Sequence, residues 1–257
     1  MIYRVILDQG SRDHMEDRYC VKKVSLSTHV AGVFDGHGND TVSTFCSKYL
    51  PNYLSQSLTR LDHVSAVKDA LVRLDASAKA QFNGPDGGGG TTACIVMVLP
   101  DKIITANVGD SRAILFSRGM THDLSKDHKP SDASELDRIM RNGGFVTQPH
   151  QTDGVHRVMG RLSLSRALGD WDLRPYVSAA SDVTLHERSP HDAFVVIASD
   201  GIWDVMSSDE VATHIDDVLT SGGKPKAALE GVLAESRRRG SGDNVTILLL
   251  DVKQKML

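Results

Sequence analysis

Carboxylates recur in this sequence at the points where apolar runs stop. Asp35 ends the run VAGVF at 30–34 and is followed by Gly36, His37 and Gly38. Asp200 follows FVVIAS and precedes Gly201, Asp243 stands just ahead of a run beginning at Val245, and Glu16 and Asp17 precede the stretch 18–24. Asp127 lies in the polar segment SKDHKP. A side chain on a glycine turn at the end of a buried strand is presented from a rigid base. Singly, each of these acids is ordinary turn chemistry, because Asp readily bonds its own backbone. Gathered together, they would repel one another and lose hydration, so a convergent set calls for a counter-charge. Oxygen donors with no paired Cys or His favour Mg²⁺ or Mn²⁺ over Zn²⁺. Order along the chain leaves open whether they converge.

The elements that would carry these turns follow from hydrophobic periodicity. Residues 2–8 and 18–24 read as strands, with a polar loop at 9–17 between them. Residues 40–50 suit a helix ending at Pro51, and 62–82 a second one with Val64, Val67, Leu71, Leu74, Ala78 and Phe82 on one face. The tract NGPDGGGG at 83–90 precedes a strand, not a helix, and GxxxxGK[ST] is absent, so it reads as a loop and not a nucleotide cradle. Residues 91–99 and 102–108 form a hairpin across Pro100 and Asp101, and 112–116 follows after a short turn, which makes three consecutive antiparallel strands. Residues 133–142 read as a helix closed by Gly143 and Gly144, and 145–155 as an irregular polar excursion. A strand at 194–198 is followed by a capping box, Ser207 to Glu210, opening a helix to about Leu219. Pro225 starts a last helix at 226–239, and 245–252 closes as a strand. Helices thus come in pairs between runs of strands, which favours a layered α+β arrangement over a doubly wound parallel sheet.

With 257 residues, no internal repeat and no linker composition, a single domain is expected. The net charge of −4 gives no reason to expect nucleic acid, and Arg237, Arg238 and Arg239 read as a solvated helix end. Three cysteines (Cys20, Cys46, Cys94) without a CxxC pair point to free thiols in a reducing compartment and against structural zinc. No apolar run approaches the ~20 residues that span a bilayer. The expected location is the cytoplasm, with the nucleus also open, and no membrane partner.

The blocks MED (15–17), DGHGN (35–39), GGTTA (89–93), GDSRA (109–113), DHKP (127–130), SRALGD (165–170), SDGIWD (199–204) and GDNVT (242–246) occur in this order. Together they resemble the metal-dependent protein Ser/Thr phosphatases of the type 2C (PPM) family. The resemblance implies a four-layer α/β/β/α sandwich: two antiparallel β-sheets packed face to face and flanked by helices. It implies one catalytic domain over 1–257 with a flap near 131–157, and two Mg²⁺ or Mn²⁺ ions in a cleft at one end of the sandwich. By motif, Asp35 would bridge both ions, Asp200 and Asp243 would bind one, and Glu16 and the Gly36 backbone carbonyl the other. Asp17 would act through metal-held water, and Asp127 with Asp200 would hold a third, weaker ion.

The implied reaction is hydrolysis of phosphoserine or phosphothreonine in phosphorylated proteins by a hydroxide bridging the two ions, with no phosphoenzyme. Arg12 occupies the family's phosphate-clamp position, where a charged fork binds two oxygens at once; pairing with Asp13 or Glu16 is the plainer reading. His37 is the implied general acid, against a turn histidine that only bonds a carboxylate. Thr91, Thr92 and Trp203 read as structural, and Arg112 and Arg166 as braces for acidic turns. A monomer is expected. Docking without catalysis, or action on small phosphoesters, remain the alternatives.

Overall fold

The computed structural model describes residues 2–84, 89–148 and 154–253. Strands β1 (Ile2–Asp8), β2 (Arg18–Lys23), β3 (His29–Phe34) and the short β4 (Gly36–His37) lead into helices α1 (Thr41–Ser57) and α2 (His63–Phe82). Asp62 caps α2, its carboxylate accepting from the Val64 and Ser65 N–H groups, a device worth ~1 kcal/mol. α1 runs past the expected stop at Pro51. The proline forfeits a backbone hydrogen bond, but Leu50 and Leu54 beside it are fully buried, and burial at ~1.5–3 kcal/mol per side chain offsets that loss.

Next come β5 (Gly90–Thr91), β6 (Ala93–Val98), β7 (Lys102–Val108), β8 (Arg112–Ser117) and β9 (Met120–Asp123). Residues 85–88 of the glycine tract lie outside the described residues, as do 149–153 of the polar excursion. Helix α3 (Ala133–Arg141) and the paired β10 (Val146–Thr147) and β11 (Arg157–Val158) follow, around the segment 131–157 where a flap is expected. β12 (Leu168–Gly169), β13 (Asp182–Glu187), β14 (Asp192–Ala198), α4 (Asp200–Trp203), α5 (Ser208–Thr220), α6 (Pro225–Arg238) and β15 (Val245–Asp251) complete the chain. The capping box at Ser207 and Glu210 forms as expected.

Two-residue periodicity sets the layers, because the central strands are apolar on both faces. Along β3, Ala31 and Val33 join the core between the sheets, while Val30 and Phe34 face α1 and α2. β14 and β15 send Val195, Ile197, Leu248 and Leu250 into that same central core, and Phe194, Val196, Ile247 and Leu249 toward α5 and α6. Among the described residues one sheet has the order β1-β15-β14-β8-β9 and the other β13-β7-β6-β3-β2, every neighbouring pair antiparallel. The four layers expected from the resemblance are present.

The three-strand reading of 91–116 needs one correction. β6 and β7 pair, but β8 leaves their sheet and pairs with β14 in the other. The turn at Gly109, with φ +101°, redirects the chain across the sandwich. β8 then fits because Ala113 and Leu115 face the central core and Ile114 and Phe116 the α5–α6 side.

Candidate active site

Backbone and side-chain hydrogen bonds bring the acidic turns to one end of the sandwich. The Asp35 N–H donates to Thr92 Oγ1 at 3.0 Å, and the Thr92 N–H returns a bond to the Asp35 carbonyl at 2.9 Å. Thr92 thus pins the Asp35 turn to the neighbouring strand, a structural part as its sequence position suggested. Glu16 is held at both backbone groups: its N–H donates to Asn244 Oδ1 at 2.7 Å, and its carbonyl accepts from Ser43 Oγ at 2.6 Å. Asn244 Nδ2 also donates to the Gln9 and His14 carbonyls, so this one amide ties loop 9–16 to the turn that carries Asp243. Asp200 opens α4, where Gly201 lies so close to the Asn244 carbonyl that a Cβ would collide with it. Glycine there lets the Asp200 and Asp243 turns meet.

The result is a cleft of about 450 Å³ lined by Arg12, Glu16, Asp35, Gly36, His37, Asp110, Asp200 and Asp243, with Arg157 and Leu162 to Leu164 also at its wall. Arg12 reaches Asp243 Oδ2 at 2.6 Å, and is not paired with Asp13 or Glu16. Asp17 lies fully buried behind the cleft, its Oδ2 accepting from Ser199 Oγ at 2.7 Å and its Oδ1 without a hydrogen-bond partner. Asp127, expected with Asp200 at a third ion, is engaged here by a cationic side chain. Arg112 takes both Asp127 oxygens, at 2.9 and 2.8 Å, and Asp127 is not among the residues lining the cleft. Arg112 and Arg166 act as braces, Arg166 holding Glu135 and Asp182.

Electrostatics tests whether these donors suit cations. Burial, then the charges of Asp200, Asp17, Asp110 and Asp243, push the Asp35 carboxyl well above its ordinary range. Asp200 is raised likewise by burial and by Asp110, Asp204 and Asp243, against partial relief from Lys129. Burial lifts Asp17 to about 6, despite the hydrogen bond from Ser199 that pulls it down. Among the described residues no group of three or more His, Cys, Asp or Glu stands close enough together to hold a metal ion as it is. Buried carboxylates with unpartnered oxygens (Asp17 Oδ1 and Asp110 Oδ1) and only oxygen donors fit hard divalent cations.

Three neighbours were not singled out from the sequence. Buried Asp110 of GDSRA receives Lys129 of DHKP, whose ammonium also stands 3.5 Å from Asp204. Asp170 of SRALGD lies 2.8 Å from His37 Nε2. All three stand inside recognised blocks; nothing in their spacing reveals which residue each one meets.

Fold and site together define a class: face-to-face antiparallel sheets between helix pairs, with a carboxylate cleft at one end. The family model described as Protein phosphatase 2C matches residues 3–245. Protein phosphatase 1L of Bos taurus is 34% identical over 259 residues, covering 94% of this chain and 70% of that one. Probable protein phosphatase 2C 71 of Arabidopsis thaliana is 32% identical over 245 residues, covering 94% of this chain and 53% of its relative. A solved structure, serine-threonine phosphatase 2C from Toxoplasma gondii, superposes with a TM-score of 0.85 at 26% identity, over 97% of this chain and 94% of that one. The chain belongs to the protein phosphatase 2C family. It spans about half the length of the Arabidopsis relative, 53%.

Proposed function

We propose that this chain is a Mg²⁺- or Mn²⁺-dependent protein phosphatase acting on phosphoserine and phosphothreonine. One observation carries the reading: Glu16, Asp35, Asp200 and Asp243, distant in sequence, line a single cleft together with Arg12 and His37. Those four carboxylates and the Gly36 carbonyl would hold two ions, with Asp17 behind them. Bound there, the ions supply charge neutralisation and water of lowered pKa for in-line attack on phosphorus.

The remaining roles fall to side chains of the chain itself. Arg12, largely exposed at the cleft and resting on Asp243, can turn its fork onto a phosphate and keeps its charge while doing so. His37 holds the proton that the leaving seryl or threonyl oxygen requires. Burial disfavours its charged form, but the hydrogen bond it donates to Asp170 and the charges of Asp170, Asp110 and Glu16 outweigh this and raise its pKa above the usual histidine value. A thiol nucleophile is disfavoured: Cys20, Cys46 and Cys94 are all buried, and burial pushes Cys20 and Cys94 up to about 12.

The test is hydrolysis of a phosphothreonine peptide with Mn²⁺, repeated in EDTA and after restoring excess Mn²⁺. Turnover is expected to vanish with the chelator and to return with the metal. Hydrolysis that persists in EDTA contradicts the proposal.

A further inference from the structure

The His37 imidazole is held from behind by an acid that the sequence did not mark out. Its Nε2 and Asp170 Oδ2 are 2.8 Å apart, and the Asp170 side chain is only 10% exposed. Asp170 has left-handed backbone angles, φ 45° and ψ 42°, a conformation that costs a residue other than glycine ~1–2 kcal/mol. Such a residue keeps that shape only where its surroundings over-determine it. Here they do. The Gly169 N–H before it and the Trp171 indole N–H after it both donate to Asp75 Oδ1 of α2, at 2.9 and 3.1 Å. The Asp170 N–H itself donates to the Gly89 carbonyl at 3.0 Å.

The small sheet β12-β5-β4 sets the two side chains across from each other. Gly169 pairs with Gly90, and Gly90 pairs in turn with His37. Gly90 therefore lies between the partners, and a Cβ added there would fall on both Asp170 Oδ2 and His37 Nε2. Gly90 is not among the glycines with positive φ, so it is space, not backbone freedom, that excludes a side chain.

We propose that Asp170 is the positioning residue for His37, with Asp75 fixing the turn that carries it and Gly90 leaving room for the contact. The proposal rests on the general-acid reading of His37. With Nε2–H donated to Asp170, Nδ1–H is the proton left to give. It passes to the seryl or threonyl oxygen as the P–O bond breaks, leaving a neutral imidazole, while Asp170 stays ionised throughout. The carboxylate selects the ring orientation and tautomer, as a buried acid does beside other catalytic histidines.

The experiment compares a phosphothreonine peptide, with a poor leaving group, and 4-nitrophenyl phosphate, with a good one, both with Mn²⁺. For Asp170→Asn the kcat loss on the peptide should exceed that on the nitrophenyl ester by about tenfold or more. His37→Ala should show a split of the same kind, and adding Asp170→Asn to it should change the split no further. Gly90→Ala, which keeps both partners but wedges them apart, should reproduce the Asp170→Asn pattern in a protein whose melting shows it folded. If His37→Ala splits the substrates while Asp170→Asn and Gly90→Ala slow both equally, the positioning role is overturned and the acid assignment stands. If His37→Ala shows no split, the acid assignment falls, and this proposal with it.

Discussion

At the residue scale the cleft is a stability cost that a cation relieves. Asp35, Asp200 and Asp17 all have carboxyl pKa values raised by burial first and by neighbouring carboxylates, Asp243 among them in each case. The sign follows from proton counting. With folded values above the ordinary 3.8, the native state holds protons that the unfolded chain has already lost, so stability falls as pH rises from there through about 6, the folded value for Asp17. Chelated protein should therefore melt lower at pH 7 than at pH 5.5, and saturating Mg²⁺ should shrink that difference by replacing the protons. A thermal melt in EDTA that is flat or rises over this window would show that the acids do not repel as described. Asp35→Asn removes the most crowded charge. It should nearly abolish turnover, yet raise the melting temperature of the chelated protein by roughly 2–4 °C for each kcal/mol relieved. A lower melting temperature in EDTA would assign Asp35 a structural part in place of a cation-binding one.

At the element scale, helix α3 hangs on a buried ion network. Glu135 on α3 accepts from Arg166 at 2.6 Å and from Arg138 at 2.8 Å, with its side chain 3% exposed. Burial works to raise its pKa, but the hydrogen bonds from Arg166 and Arg138 prevail and hold it at about 2. Removing one partner of a buried pair strands the other, so Glu135→Gln should cost ~3 kcal/mol in urea unfolding, the lower end of the range because Arg166 keeps Asp182. A loss below ~1 kcal/mol would mean that desolvation already cancels the pair. The sequence could not show this network, since Glu135, Arg166 and Asp182 meet only after the chain has folded. What it showed well were elements whose signal is local: the 3.6-residue face of α2, the capping box of α5 and the proline opening α6. Pro51 misled because tertiary burial of Leu54 overrides a local stop signal. β13 went unread because it is a short edge strand of largely exposed text, DVTLHE, in which only Val183 and Leu185 alternate with polar residues.

At the scale of the whole molecule, the cleft belongs to both sheets. Asp35 follows β3 in one, while Asp200 and Asp243 flank β14 and β15 in the other, so these carboxylates meet across the two sheets that the central core joins. The layered α+β class was legible in periodicity and the acids at strand ends in turn chemistry, but their meeting in one cleft with Arg12 and His37 was only implied by the resemblance. Which sheet takes β8, and which way Asp127 faces, depend on packing across the sandwich and have no local signal. This division implies that core packing and catalytic geometry separate under mutation. Leu248 is fully buried on β15 between the sheets, and Leu248→Ala should cost ~2–5 kcal/mol by lost transfer energy and a residual cavity. Asp243 nearby is fixed by other means: its carbonyl accepts from Arg237 at 2.8 Å, and Asn244 beside it carries the stitch to Glu16. In the cold, where the variant stays folded, kcat on the phosphothreonine peptide should remain within about twofold of the parent while the melting temperature drops by several degrees or more. A kcat that falls in step with stability would show that the carboxylates are placed by the core itself and not by hydrogen bonds at the strand ends.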